Sequence, residues 1–191
     1  MGSDFSFVVV AKKENKSRME AFINLYSDDI ITFDNLSDNC LGINFPIDSY
    51  ILKYLEESYA SHNNHIFSNT VKQFMRDNNS KAHIGCIYLT VDTYDDSNEI
   101  CRYEFTAATS DMSFLFQDSI SIKKWFIELS KAVDAVISYI DLEYNGNRII
   151  FFNGKEIDIF LKGDDYFHLT SQEFCNAILA FSKSTKRYFE E

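Results

Sequence analysis

Apolar and polar positions along the chain follow the two-residue period of strands in some segments and the wider spacing of amphipathic helices in others. Residues 5–11, FSFVVVA, form a β-branched apolar run that is typical of a buried strand, and RMEAFINLY (18–26) has a helical pattern. DIITF (29–33) is a possible second strand, and the residues that follow it, DNLSDNCLGIN (34–44), are typical of a loop. The sequence therefore predicts a strand, a helix and a short second strand before residue 34.

The middle of the chain has the clearest strand pattern. Apolar and polar residues alternate over 87–91 and again over 101–106, which predicts the two strands of a hairpin. Its tip is rich in acids and has three possible roles: a metal site, a docking surface for a basic partner, or a solvated turn. The tip lacks the glycine and the second oxygen ligand of an EF-hand loop, so we expect no metal there. The acidic residues of this tip are Asp92, Asp95, Asp96 and Glu99.

Helical spacing of apolar residues indicates further segments. Pro46, the single proline of the chain, suits the first turn of a helix that contains Tyr50 and Tyr54. Residues 69–76 indicate a second helix. The longest amphipathic pattern runs over 122–140, and we expect this helix to cover the sheet. Its apolar positions are Ile122, Trp125, Phe126, Leu129, Val133, Val136, Ile137 and Ile140.

A second hairpin is predicted in RIIFFNGKEIDIFLK (148–162). Asn153 and Gly154 both tolerate the positive φ of a type I′ turn, which makes this pair a strong hairpin signal. A two-residue turn there predicts these cross-strand pairs: Phe152 with Lys155, Phe151 with Glu156, Ile150 with Ile157, and Ile149 with Asp158. One face would then carry core residues, namely Ile150, Phe152, Ile157 and Ile159. The opposite face mixes apolar and acidic side chains: Ile149, Phe151, Glu156, Asp158 and Phe160. Either the long helix or a loop covers its aromatic residues while the acids reach solvent at the edge, or this face is the partner site.

The remaining pattern completes the predicted fold. Thr170 and Glu173 have the spacing of a capping box, which predicts the start of a last helix. No repeat, low-complexity tract or proline-rich linker divides the chain. We therefore predict a single globular α+β domain over residues 1–191, with an antiparallel or mixed β-sheet and helices packed mainly on one face.

Charge limits the choice of partner. The chain has 29 Asp and Glu against 18 Lys and Arg, which gives a formal net charge of -11. A surface of this sign repels phosphate backbones, so nucleic-acid binding is disfavoured. The same field accelerates encounter with a basic protein, because opposite net charges raise the association rate. The charge therefore favours a basic protein partner, and solubility alone is an equally allowed explanation.

Cysteine usage and hydropathy bear on the compartment. The four cysteines are scattered and form no close pair of the kind that small secreted domains use. No stretch approaches the ~18 apolar residues of a membrane span. We therefore expect reduced thiols, a cytoplasmic location and no membrane partner.

Candidate catalytic and metal-binding residues are few. His62 and His65 form the one close histidine pair, but in a loop this spacing fixes no coordination geometry. His168 could act as a general base, although a hydrogen-bonded structural histidine is the simpler interpretation. Glu156 and Asp158, with a nearby lysine, have no spacing typical of a nuclease. No glycine-rich phosphate loop or nucleophile motif is present. The sequence therefore predicts no metal site and no cofactor.

A compact, acidic, aromatic-rich chain of this size resembles the immunity proteins that bacteria make against polymorphic toxins. The segment LGINFPIDSYILKYL (41–55) is similar to a part of the SUKH-superfamily immunity proteins in which a proline and an aromatic residue precede a helix. Pro46, Tyr50 and Leu55 carry this similarity. The resemblance implies a stoichiometric inhibitor that covers or distorts the active site of a toxin.

The leading hypothesis is a non-enzymatic acidic binding protein, an immunity protein that neutralises a cognate toxin domain by direct contact. The alternatives are a small-molecule enzyme that uses Asp or Glu acid–base chemistry, and a structural or adaptor subunit. An enzyme should have a concave pocket with perturbed titratable groups, whereas an inhibitor should have an acidic face with exposed aromatics. The predicted partner-binding residues are the acidic tip and the mixed face of the last hairpin: Asp92, Asp95, Asp96, Glu99, Ile149, Phe151, Glu156, Asp158 and Phe160. The sequence does not define the oligomeric state.

Overall fold

Strands and helices are interspersed along the chain in the computed structural model, which describes residues 4–28, 30–33, 40–60, 80–94, 100–162 and 173. The strands within these residues are β1 (Ser6–Lys12), β2 (Cys40–Pro46), β3 (Lys81–Tyr94), β4 (Ile100–Ala107), β5 (Ile137–Asp141), β6 (Asn147–Phe152) and β7 (Lys155–Leu161). The α-helices are α1 (Lys16–Asn24), α2 (Ser49–Ala60), α3 (Ser110–Asp118) and α4 (Ile120–Ala132). Short 3-10 turns occupy Lys13–Asn15 and Glu143–Asn145.

The seven strands form one sheet in the order β2-β3-β4-β1-β5-β6-β7. Every neighbouring pair is antiparallel. The predicted α+β class with an antiparallel sheet is therefore confirmed, as is the hairpin of β3 and β4, in which Leu89 pairs with Phe105. The first strand of the chain lies at the centre of the sheet, between β4 and β5.

The side chains of β1 alternate between two apolar surfaces. Phe7 and Val9 lie in the larger core, to which each of the four described helices contributes side chains, whereas Val8 and Val10 lie on the opposite face. In the described part of the chain, the buried cluster on that opposite face consists of strand residues. The continuous apolar run of β1 thus reflects burial on both faces, and the prediction of helices mainly on one face is confirmed.

Aromatic packing between α4 and the sheet explains much of the high phenylalanine content. The Trp125 indole lies 5.3 Å from the Phe45 ring on β2 and 5.3 Å from the Phe22 ring on α1. Phe126 stacks on Phe7 of the central strand, with 3.9 Å between the ring centroids and 11° between the planes. These edge and stacked contacts stabilise the layer beyond simple area burial.

Three predictions for the N-terminal half are wrong. Residues 30–33 form no strand, because the Asn24 side chain satisfies both backbone groups of Ile31, at 3.0 and 2.7 Å. The stretch predicted as a loop (34–44) contains the first five residues of β2, whose alternating burial follows the period of a strand. Pro46 ends this strand and does not lie in the first turn of a helix, since α2 begins at Ser49.

The predicted long helix over 122–140 is also wrong in its second half. Helix α4 ends at Ala132, Asp134 adopts a positive φ of 47°, and the chain then enters β5. Ile137 and Ile140 are therefore strand residues. Strand β5 is short and buried on both faces, so its apolar positions happened to continue the helical period of α4.

The predicted turn of the last hairpin is confirmed, but the predicted pairing farther from the turn is wrong. Asn153 and Gly154 have φ values of 46° and 80°, and the two pairs next to the turn are as predicted. Beyond them a β-bulge shifts the register, so that Ile149 pairs with Ile159 and not with Asp158. Ile150 and Phe151 both lie in the larger core, so the alternation of β6 is interrupted there and Ile149 faces the opposite side. The two predicted faces are therefore mixed.

The predictions for residues 69–76, His62, His65 and His168 fall outside the described residues, as does Thr170 of the last predicted helix.

Candidate docking groove

Asp48 fixes the relative position of three helices. Its Oδ1 accepts hydrogen bonds from the backbone N–H groups of Tyr50 and Ile51 at 3.0 and 2.9 Å, which caps α2. Its Oδ2 accepts hydrogen bonds from the Ser119 hydroxyl at 2.8 Å and the Ser121 N–H at 2.9 Å. Ser119 is itself the N-cap of α4 and directly follows α3. One carboxylate therefore holds the start of α2 against the junction of α3 and α4.

An open groove of about 270 Å³ lies between α2 and α3. Each helix contributes four residues at the same spacing of i, i+3, i+4 and i+7, which is one face of a helix over two turns. Leu115 is buried and forms part of the floor, whereas Tyr50 and Phe114 are 43% and 53% exposed. The lining residues are Tyr50, Lys53, Tyr54 and Glu57 from α2, and Asp111, Phe114, Leu115 and Asp118 from α3.

The polar rim of the groove is mainly acidic. Lys53 Nζ lies 3.7 Å from Glu57 Oε1, so the one cation of the lining already faces an acid. Asp111 and Asp118 stand at the two ends of α3, with the half-exposed Phe114 ring between them in sequence. Exposed rings beside carboxylates form a surface that suits cationic side chains, which interact favourably with both. Within the fold, Asp118 also interacts electrostatically with Arg148.

The acidic tip of the β3–β4 hairpin is described only in part. Asp92 is exposed, and its Oδ2 lies 3.5 Å from an Nη1 of Arg102 on the neighbouring strand. The other three predicted residues, Asp95, Asp96 and Glu99, lie outside the described residues. Their role as docking residues stays a prediction.

The structure separates the residues of the predicted strip on the last hairpin. Phe151 is 1% exposed and belongs to the larger core, whereas Ile149 is equally buried in the cluster on the opposite face. Neither side chain is accessible to a partner, which corrects the prediction that they are binding anchors. Glu156 is exposed and Phe160 is 51% exposed, so these two keep the accessibility that docking requires.

Asp158 is exposed but is engaged within the fold. It accepts two hydrogen bonds from the Arg148 guanidinium, both at 2.7 Å, and one from Lys123 Nζ on α4 at 2.8 Å. The Arg148 guanidinium, together with Lys123, holds the pKa of Asp158 well below its ordinary value. A carboxylate with two internal cations has little charge left for a partner, so Asp158 has a structural role that the sequence did not indicate.

A second group of charged residues lies on the face of the sheet opposite the helices. Arg102 forms a close ion pair with Glu104 on β4, and Asp141 on β5 accepts a hydrogen bond from the Glu143 N–H at 2.8 Å. Burial raises the pKa of Asp141, and the charge of Glu104 acts in the same direction. Burial likewise raises the pKa of the neighbouring Tyr139. This group contains the perturbed carboxyl that an acid–base function would require.

The described residues contain neither a metal-binding cluster nor a membrane-spanning helix. Among them, no group of three or more His, Cys, Asp or Glu side chains could hold a metal ion. The His83 ring lies against Gly42, where an added Cβ would be 2.3 Å from the ring, and His83 Nδ1 is 3.1 Å from Asp28 Oδ2. None of the described helices is long and apolar enough to span a membrane.

No protein-family model matches the sequence, and no curated protein or solved structure matches the chain at a significant level. The fold and the groove are therefore the features of the molecule from which its function can be inferred.

The groove was not predicted from the sequence, although part of its signal was present. The spacing of Tyr50 and Tyr54 predicted a helix but did not indicate which face is exposed. Helix α3 was missed, although Thr109 precedes it as an N-cap and accepts a hydrogen bond from the Met112 N–H. Recognising that cap would have predicted α3.

Proposed function

We propose that this protein is a non-enzymatic inhibitor that binds a basic protein partner through the groove between α2 and α3, and that the partner is a toxin domain which it neutralises. The observation that carries this proposal is the combination of half-exposed rings and acidic rim residues in one groove. Aromatic anchors at the centre of an interface and charges at its rim are typical of protein docking sites. The formal charge of -11 favours rapid encounter with a basic partner.

The dimensions of the groove favour a protein ligand over a small molecule. Its volume of about 270 Å³ lies just below the range of ~300–1,000 Å³ that small-molecule sites occupy, and such sites usually enclose their ligand. The groove is open along two helices. It therefore suits side chains that a partner surface presents.

An acid–base enzyme is the second candidate, because Asp141 has a raised pKa beside Glu104 and Arg102. On this alternative the face of the sheet opposite the helices would bind the substrate, and Asp141→Asn would abolish turnover. We rank it second because the described neighbours already engage these groups: Glu104 with Arg102, and Asp141 with the Glu143 N–H.

The test is protection of host cells from the product of the reading frame adjacent to this gene. Coexpression of the wild-type chain should restore growth, and the double variant Phe114→Ala, Asp111→Asn should fail to do so. If the neighbouring product is toxic and the wild-type chain gives no protection, the proposed function is rejected.

A matched control comes from the last hairpin. Phe160 is as exposed as Phe114, at 51% against 53%, and the exposed Glu156 lies on the same strand. The double variant Phe160→Ala, Glu156→Gln should protect as well as wild type. If this variant fails and the groove variant protects, the docking site is on β7 and the groove is excluded.

A further inference from the structure

We infer that the segment of the partner seated in the groove is an amphipathic helix with two basic residues seven positions apart and apolar residues between them. This inference rests on the proposed function and specifies the form of the partner. It follows from the order of side chains along the α3 and α2 walls of the groove.

The α3 wall sets the spacing of the charges. Asp111 and Asp118 are seven residues apart on one helix, so their backbone positions are separated by roughly 10 Å along its axis, at about 1.5 Å per residue. Phe114 and Leu115 lie between them. A partner helix that runs along α3 presents the complementary order when its basic residues are at positions i and i+7 and its apolar residues are at i+3 and i+4.

The α2 wall adds apolar contact and little net charge. Tyr50 and Tyr54 line the groove one turn apart, and Lys53 is paired with Glu57 at 3.7 Å. The apolar side chains of the partner therefore have rings on both sides, from α2 and from Phe114. The two basic side chains are directed to the ends of α3, where the acids are.

A helix fits this groove better than an extended segment does. An extended peptide gains affinity mainly by hydrogen bonding to the backbone of a sheet edge, whereas both walls here are helices whose backbone groups are bonded internally. Side chains at helical spacing form ridges, and the ridges of a third helix pack between those of two neighbours. Helix-in-groove docking is therefore the mode that this geometry supports.

The probe is a labelled alanine-based helical peptide of about five turns, with arginine at two positions seven apart and leucine at the fourth and fifth positions of that interval. A second peptide of the same composition has these four residues distributed around the helix. Fluorescence anisotropy at low salt should show at least roughly tenfold tighter binding of the ordered peptide, a difference of about 1.4 kcal/mol. Equal affinity for the two peptides would mean that charge alone drives binding and would overturn the inference.

Variants locate the site. Phe114→Ala should weaken the ordered peptide about tenfold, and the double variant Asp111→Asn, Asp118→Asn should remove most of its salt dependence, while Phe160→Ala should change neither. The Asp double variant alters only exposed side chains, so it remains informative if Phe114→Ala lowers stability through its edge contact with Phe5, at 6.2 Å. An ordered peptide that binds all variants equally would also overturn the inference.

The peptide experiment involves no toxin, so its failure is distinguishable from failure of the proposed function. If groove variants lose protection but the two peptides bind equally, the partner occupies the groove in a form other than this helix. In that outcome the inference falls and the proposed function stands.

Discussion

Asp48 Oδ2 accepts a hydrogen bond from the Ser119 hydroxyl at 2.8 Å, although the two residues are 71 positions apart in the chain. The other oxygen of the same carboxylate caps α2. The contact therefore joins the start of the α2 wall to the end of the α3 wall. This carboxylate therefore links the two walls at one end of the groove.

Replacing Asp48 should lower the free energy of unfolding, and alanine should lower it more than asparagine does. Asp48→Ala removes the α2 cap and the contacts with the α4 start, and the loss of a cap alone costs about 1–2 kcal/mol. Asp48→Asn should cost less, because its amide oxygen still caps α2. It should still cost some stability, because its NH₂ group cannot accept the hydrogen bond from the Ser121 N–H. Urea unfolding measures both values. An Asp48→Ala variant as stable as wild type would contradict the structural role of this carboxylate.

The contribution of Asp48 should also depend on pH. Burial acts to raise its pKa, but the hydrogen bonds from Ile51, Ser121 and Ser119 outweigh burial and the pKa is lowered from 3.8. An acid with a lowered pKa in the folded state stabilises the fold above its unfolded pKa, and this stabilisation is lost as the pH falls through the folded value. The difference in unfolding free energy between wild type and Asp48→Ala should therefore shrink below about pH 4. A difference that stays constant down to pH 2 would exclude this linkage.

The contribution of Asp141 to stability should depend on pH in the opposite direction. Its pKa is raised from 3.8, chiefly by burial, so its ionisation opposes folding, and stability falls as the pH rises from 3.8 through the folded pKa. Asp141→Asn keeps an acceptor for the Glu143 N–H and removes the charge. We expect a higher thermal midpoint than wild type at pH 7 and a smaller gain at pH 3. Glu128→Gln, at an exposed ion pair with Lys131, is the control and should change the midpoint little.

The two phenylalanines of the last hairpin should differ sharply in their effect on stability. Phe151 is 1% exposed and Phe160 is 51% exposed. Phe151→Ala should cost about 3–5 kcal/mol, because it leaves a cavity in the larger core, whereas Phe160→Ala should cost less than about 1 kcal/mol. Chemical denaturation of both variants tests this difference. Similar costs would mean that the hairpin packs in another register.

The Asn153–Gly154 turn should be sensitive to backbone conformation alone. An added Cβ at Gly154 would contact nothing within 4 Å, but the residue has a φ of 80°. Gly154→Ala should therefore lower the unfolding free energy by about 1 kcal/mol through backbone strain and not through a clash. A neutral result in urea unfolding would indicate that the turn changes type to accommodate alanine.

The sequence predicted those parts of the fold in which local chemistry and tertiary structure agree. The turn at Asn153 was predictable because few residue pairs tolerate its dihedral angles. Strand β1 was predictable because a continuous β-branched apolar run is stable only when both of its faces are buried. Strand β5 was not predictable by the same reasoning, since Ile137 and Ile140 fit the helical period of α4. The competing strand is selected by pairing with β1, which no local pattern reveals.

The site was harder to predict than the fold. Phe151 pairs with Glu156 as predicted, but the face that these residues share is the one that the helices cover, so Phe151 is buried in the larger core. The irregular register beyond this pair places Ile149 on the opposite face. Phe114 gave no signal, because half exposure of its ring results from the packing of α3 beside α2. Asp158 looked like a free carboxylate until the structure placed Arg148 and Lys123 against it.

The central position of β1 has a consequence for synthesis on the ribosome. Val8 pairs with Glu104 on one side and with Tyr139 on the other, so β1, which precedes both partners in the chain, stays unpaired until β4 and β5 have been made. At about 5–20 residues per second, FVVVA would be exposed for several seconds as an unpaired apolar segment of the kind that drives aggregation. Expression at low temperature or with a holdase chaperone should therefore raise the soluble yield.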